Sequence, residues 1–110
     1  MKIQINTDKT INGNEKHQDI FKAQIAKALD NYQSHIERIE VHLSDQNGNK
    51  KGWDDILCLL EAKLDGMPPV VVTKQDNTIE SAMAGAIDKL KASLETVLGR
   101  SQNHHQKING

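Results

Sequence analysis

Aromatic residues are nearly missing from this chain: Phe21, Tyr32 and Trp53 are all it has. A hydrophobic core must therefore be built from Ile, Leu, Val, Met and Ala. There is a single cysteine, Cys58. One thiol excludes an intrachain disulfide and any cysteine-based zinc site, and it suits a reducing compartment. Net charge is also lacking, since 14 Lys and Arg stand against 15 Asp and Glu, giving −1 with His neutral. Nucleic-acid binders are usually basic overall, so only the placement of charges, not their sum, can support such a role. No apolar run approaches the roughly 20 residues that cross a bilayer. The N-terminal MKIQINTDK lacks the apolar stretch of a secretory signal. The expectation is a cytoplasmic protein with no membrane partner.

Enzyme signatures are missing too. The chain contains no P-loop, GxGxxG, GxSxG or HExxH. Asp54 and Asp55 are adjacent, so on a strand they point to opposite faces and cannot act as an acid/base pair. His104 and His105 offer only two ligands on a polar tail, a poor metal site. His42 reads as a solvated strand residue. Cys58 reads as inert packing. No catalytic residue, cofactor, metal or small-molecule substrate is expected.

The 110 residues are enough for one domain with a modest core. In KIQIN, residues 2–6, Ile3 and Ile5 alternate with Lys2, Gln4 and Asn6, a strand with one buried face. Asn12-Gly13 marks a turn. A helix is predicted from residue 14 or 15 to about 34, capped by Asn14. Its stripe of Phe21, Ile25, Leu29, Tyr32 and Ile36 repeats every three or four residues. Residues 37–45 alternate again, with Ile39, Val41 and Leu43 inward and Arg38, Glu40, His42 and Ser44 outward. Asn47-Gly48 is a hairpin turn signal. Residues 53–65 fit a strand with Ile56, Cys58, Leu60, Ala62 and Leu64 on one face. A helix is also compatible with them, and the flanking turn signals favour strand. Asp65-Gly66 is a further turn, and a valine-rich strand follows over about 69–75. The last helix is expected over about 78–99. Asn77 or Thr78 would cap it, Asn77 and Glu80 having capping-box spacing, and Gly99 would stop it. Residues 101–110 read as a polar, disordered tail.

The order is β-α-β-β-β-α. All apolar stripes are buried at once in an α+β two-layer sandwich, a four-stranded sheet with both helices on one face. Strands 2 to 4 form an antiparallel meander, and strand 1 lies parallel to strand 2.

Two surfaces stand out. On the outer sheet face, Leu57 and Leu59 share a parity with Trp53, and Val70 or Val72 is expected beside them. This is either apolar surface covered by charged stems or a protein interface. On the helices, Lys22, Lys27, Lys89 and Lys91, with Arg100 just beyond, are candidates to track phosphates. Spacing alone favours the plainer alternative, a solvated face.

The strand MKIQINTDK, the helix end AKALDNY, the strand IERIEVHLSD and above all VTKQDNTIESAMAGAIDKLKASL carry a resemblance over residues 1 to 100. The chain resembles the ribosome hibernation-promoting family, also called the ribosome-associated inhibitor or sigma-54 modulation family. Ala82, Ile87-Asp88 and Lys89-Leu90 fall where members commonly carry those residues. The resemblance implies a bacterial stress or stationary-phase translation regulator. Such a protein binds the small ribosomal subunit in the channel used by messenger and transfer RNA, with basic helix faces on ribosomal RNA. By position Lys27 and Lys89 match, and Lys22 and Lys91 lie near them. Members usually carry more Lys and Arg late in the last helix, where this chain reads ASLETVLG with Glu95. The C-terminal domain of some members is absent from these residues, so pairing of ribosomes through it is not expected. The alternative is a module that kept the fold, lost the basic face and docks or dimerises through Leu57 and Leu59.

Overall fold

The computed structural model describes residues 1–7, 15–45 and 56–109, and the side chains of all of these except residues 15–17 and 100–109. Strand β1 (Lys2–Thr7) leads to helix α1 (Glu15–Ala28) and a 3-10 helix (Asp30–His35). Strands β2 (Ile36–Asp45), β3 (Ile56–Leu64) and β4 (Val70–Asp76) follow, and helix α2 (Ile79–Asn109) ends the chain. The sheet order is β1-β2-β3-β4. β1 and β2 are parallel, while β2-β3 and β3-β4 are antiparallel. This is the expected sandwich, and residues 56–64 are a strand.

Strict alternation explains the layering. Ile39, Val41 and Leu43 of β2 and Ile56, Cys58, Leu60, Ala62 and Leu64 of β3 are buried on one sheet face. They pack in a single cluster with Phe21 and Ile25 of α1, Leu29 just after it, and Ala82, Met83, Ala86, Ile87, Leu90, Leu94 and Leu98 of α2. The buried strand residues form one cluster with residues of both helices, so both helices lie on the same sheet face. The cluster is aliphatic apart from Phe21 and Cys58, as three aromatics dictate.

Helix α1 ends six residues earlier than the stripe suggested. Leu29 N–H makes the last α-type bond, to Ile25 C=O at 2.9 Å. Leu29 itself leaves the helical region, with φ −104° and ψ 16°. The following Asp30, Asn31 and Ser34 prefer local side-chain bonds to helix continuation. Gln33 Nε2 accordingly donates to Asp30 Oδ1 at 3.1 Å. Ile36 is therefore a strand residue. A register shift between Ile36 and Arg38 lets Ile36 and Ile39 both point inward, as a one-residue bulge does.

Two other ends differ. Thr78 caps α2, with Oγ1 accepting from Ser81 N–H at 3.1 Å. Asn77 does not form the capping box, and its own N–H donates to Asp76 Oδ1. Nor does α2 stop at Gly99, for it continues to Asn109. A glycine stop requires a left-handed residue, and among the described residues only Gly66 has positive φ, at 70°. An interior glycine costs a helix only about 1 kcal/mol. The 31 residues of α2 span about 46 Å at the standard rise, which accounts for the long 57 Å axis of the molecule. Gly66 makes the Asp65-Gly66 turn. The turns at Asn12-Gly13 and Asn47-Gly48, the Asn14 cap and the Asp54-Asp55 pair lie outside the described residues.

Candidate nucleic-acid interface

The helix layer carries the candidate lysines on different flanks. Lys27 is exposed in the last turn of α1, where a cation also suits the helix dipole. Lys22 is half-buried on the flank of that helix. Five residues separate the two, about 140° around the axis. On α2, Lys89 turns to the edge of the sheet, and its Nζ donates to the Thr73 carbonyl of β4 at 2.9 Å. Lys91 is exposed two residues on, about 200° around the helix. It therefore lies on the flank that one turn later carries Glu95, beside the 3-10 helix. The lysines are thus spread over both flanks rather than aligned in one stripe. Asp19, Glu80, Asp88 and Glu95 are exposed among them. The side chain of Arg100 lies outside the described residues.

Lys74 adds a cation that the sequence reading did not select. It sits on β4 with inward parity and is half-buried. Its stem lies across Gly85 of α2, where an added Cβ would come 2.7 Å from Lys74 Cγ. The missing side chain of Gly85, not its backbone angle, makes room for the Lys74 stem, which would have to shift if a Cβ were added. Lys74 and Lys89 so converge on the β4-α2 seam.

The outer sheet face is ordered in rows by register. Lys2, Arg38 and Lys63 stand side by side across β1, β2 and β3. Two residues along, Gln4, Glu40, Glu61 and Val71 form the next row. Asn6, His42, Leu59 and Thr73 form the third. Arg38 Nη2 reaches Glu40 Oε2 at 3.5 Å, both side chains partly exposed. Such a pair contributes little to stability in water. Strand parity placed each of these side chains on the outer face, but the cationic row depends on register, which no local pattern encodes.

Leu57 and Leu59 do face outward and are half-buried. Trp53 lies outside the described residues. Val70 and Val72 are not beside them: both point inward against the core. Val71 takes the outer position and is 53% exposed. Three consecutive valines carry no alternation, so parity had to come from pairing with β3. The apolar patch is therefore Leu57, Leu59 and Val71, bounded by charge.

Cys58 is fully buried, and burial pushes its thiol up to about 12. Its Sγ lies 4.0 Å from Met83 Sδ. Tyr32 is held above its ordinary phenol value, by burial first and then by its hydrogen bond to Glu95 and that carboxylate's charge. Among the described residues no cluster of three or more His, Cys, Asp or Glu could hold a metal. None of the described helices is long and apolar enough to cross a membrane.

The fold and its cation-bearing helices define a class. Residues 2–102 match the sigma 54 modulation protein / S30EA ribosomal protein family, and the chain belongs to that family. Among solved structures it is similar to the N-terminal domain of Protein Y from Thermus thermophilus, with TM-score 0.71 and 19% identity over 88% of this chain and 99% of that one. It is similarly related to a ribosomal subunit interface protein from Coxiella burnetii, with TM-score 0.71 and 13% identity over 90% and 99%. At these identities the likeness shows the fold. No curated protein sequence matches the chain.

Proposed function

We propose that this protein is a non-enzymatic, ribosome-associated translation regulator. It acts in the bacterial cytoplasm during stress or stationary phase and binds the RNA of the small ribosomal subunit. Membership of the S30EA family over residues 2–102 is the observation that carries this reading. The cations do not form one continuous stripe across both helices, the layout that would favour an RNA footprint, so family membership and not charge placement carries the reading. Lys27 and Lys91 are exposed on the helix layer, Lys74 and Lys89 gather at the β4-α2 seam, and Lys2, Arg38 and Lys63 line the opposite face. The near-zero net charge makes the affinity modest and dependent on salt.

Co-sedimentation with ribosomes through sucrose gradients tests this. The wild-type protein should travel with the small-subunit and ribosome fractions at low salt and leave them at high salt. Lys27→Glu/Lys91→Glu should shift to the top of the gradient. Wild-type protein at the top under every condition removes the reading.

A second reading is favoured by the half-buried Leu57 and Leu59 and exposed Val71 on the uncovered sheet face. The charged rows beside them are self-complementary, since a second copy can set its Glu40 and Glu61 against Arg38 and Lys63. In that case the protein is a homodimer through this face. Light scattering would show twice the monomer mass, and Leu59→Asp would halve it.

A further inference from the structure

The cleft between the 3-10 helix and α2 has chemistry unlike the rest of the helix layer. Asn31, Tyr32, His35, Glu95, Leu98 and Gly99 line it, and it holds about 240 Å³. That is below the roughly 300–1,000 Å³ of drug-sized pockets and fits one planar ring system. Leu98 is buried and supplies an apolar wall. Gly99 contributes no side chain. Tyr32 is half-buried and packed on the core cluster, so its ring is held in place with part of its surface open. Tyr32 and the Glu95 carboxylate face the same cleft. A carboxylate only accepts, at about four positions over two oxygens, so Glu95 retains acceptor capacity facing the cleft. Asn31 adds an exposed amide that both donates and accepts. Among the described lining residues there is no lysine or arginine, so this is not a phosphate site. Lys91 lies one turn before Glu95 on the same helix and is exposed.

We infer that this cleft captures a single unpaired guanine base of RNA, with the ring stacked on Tyr32 and its Watson–Crick edge donating to the Glu95 carboxylate. Guanine is chosen by donor pattern. It alone among the four bases presents two neighbouring N–H donors, N1–H and the 2-amino group, matched to two carboxylate oxygens. Adenine and cytosine offer one amino donor beside an acceptor, and an acceptor facing a carboxylate is repelled. Splayed bases read by aromatic stacking and edge hydrogen bonds are the usual means of sequence recognition in single-stranded RNA. Glu95, which weakens the phosphate-binding character of α2, thereby gains a function. The choice of RNA as ligand rests on the proposed function.

Fluorescence anisotropy of the full chain with labelled UUGUU, UUAUU, UUCUU and UUUUU at low salt tests the inference. UUGUU should bind about five-fold or more tightly than the others, the scale of one bidentate edge contact. Glu95→Gln should erase that preference. Tyr32→Leu should weaken all four, while Tyr32→Phe keeps the stacking. Amide shifts on titration with UUGUU should localise to 31–35 and 95–99. Equal affinities in the wild type, no binding of any pentamer, or a guanine preference that survives Glu95→Gln would overturn it. Ribosome co-sedimentation separates the two claims. Ribosome binding without guanine preference sinks the cleft alone. Guanine preference without ribosome binding sinks the ribosomal role and leaves the cleft.

Discussion

Gly85→Ala couples the helix layer to the sheet edge through one lysine stem. Placing a methyl at residue 85 puts it 2.7 Å from Lys74 Cγ and 3.0 Å from both Cδ and Cε. Distances this short force the stem to move. Alanine in place of glycine favours the helix by about 1 kcal/mol. Against this, three half-covered methylenes lose their seat on α2. At about 0.8 kcal/mol per fully buried methylene, half cover amounts to about 1 kcal/mol. The two effects offset, so Gly85→Ala alone should leave stability within about 0.5 kcal/mol of wild type. In a Lys74→Ala background the obstructing atoms are gone and the same substitution should stabilise by about 1 kcal/mol. The assay is urea unfolding followed by far-ultraviolet circular dichroism on the four proteins of the cycle. A coupling of about 1 kcal/mol is expected. Additivity within about 0.3 kcal/mol would refute the packing of Lys74 over Gly85.

Other outcomes follow from burial and charge. Leu94 is fully buried between α2 and the sheet, so Leu94→Ala should cost about 2–5 kcal/mol in the same unfolding assay. Leu59→Ala, on the half-buried outer face, should cost clearly less. Cys58 should resist iodoacetamide in the native protein and react at once in denaturant. The folded thiol is raised from 9.0 to about 12, so the neutral form is the one the fold favours. Its contribution is fully present below pH 9 and is lost as pH climbs from there toward 12, at about 1.4 kcal/mol per unit. Cys58→Ala should flatten that alkaline decline. Spectrophotometric titration should show Tyr32 ionising above ordinary tyrosine, and Glu95→Gln should bring it down, though not fully, because burial is the larger cause.

The parts of the fold that repeat every second residue could be read from the chain. Ile39, Val41 and Leu43, and the five inward residues of β3, announce their face by alternation, and sheet order follows once two helices must share that face. Ends and registers could not be read so. Ile36 fits the α1 stripe as well as the β2 face, and only the break at Leu29 and the bulge after Ile36 decide between them. The valine run hid its parity, which misplaced Val70 and Val72. The candidate site was legible as a set of lysines but not as an arrangement. That Lys89 is tied to Thr73, that Lys74 leans on Gly85 and that Lys2, Arg38 and Lys63 stand in a row are properties of tertiary contact. Glu95 was visible only as an acid in an unexpected place, and its pairing with Tyr32 required the 3-10 turn.

The proposed attachment to small-subunit RNA is electrostatic and runs through the exposed lysines of the helix layer. Its most direct measurement is the affinity of the labelled protein for purified small subunits as a function of salt, for the wild type and for Lys27→Gln and Lys91→Gln. The logarithm of affinity should fall linearly with the logarithm of salt concentration. Each substitution should weaken binding and reduce the slope by about 0.7–0.9. A flat salt dependence, or slopes unchanged by both substitutions, would contradict the account.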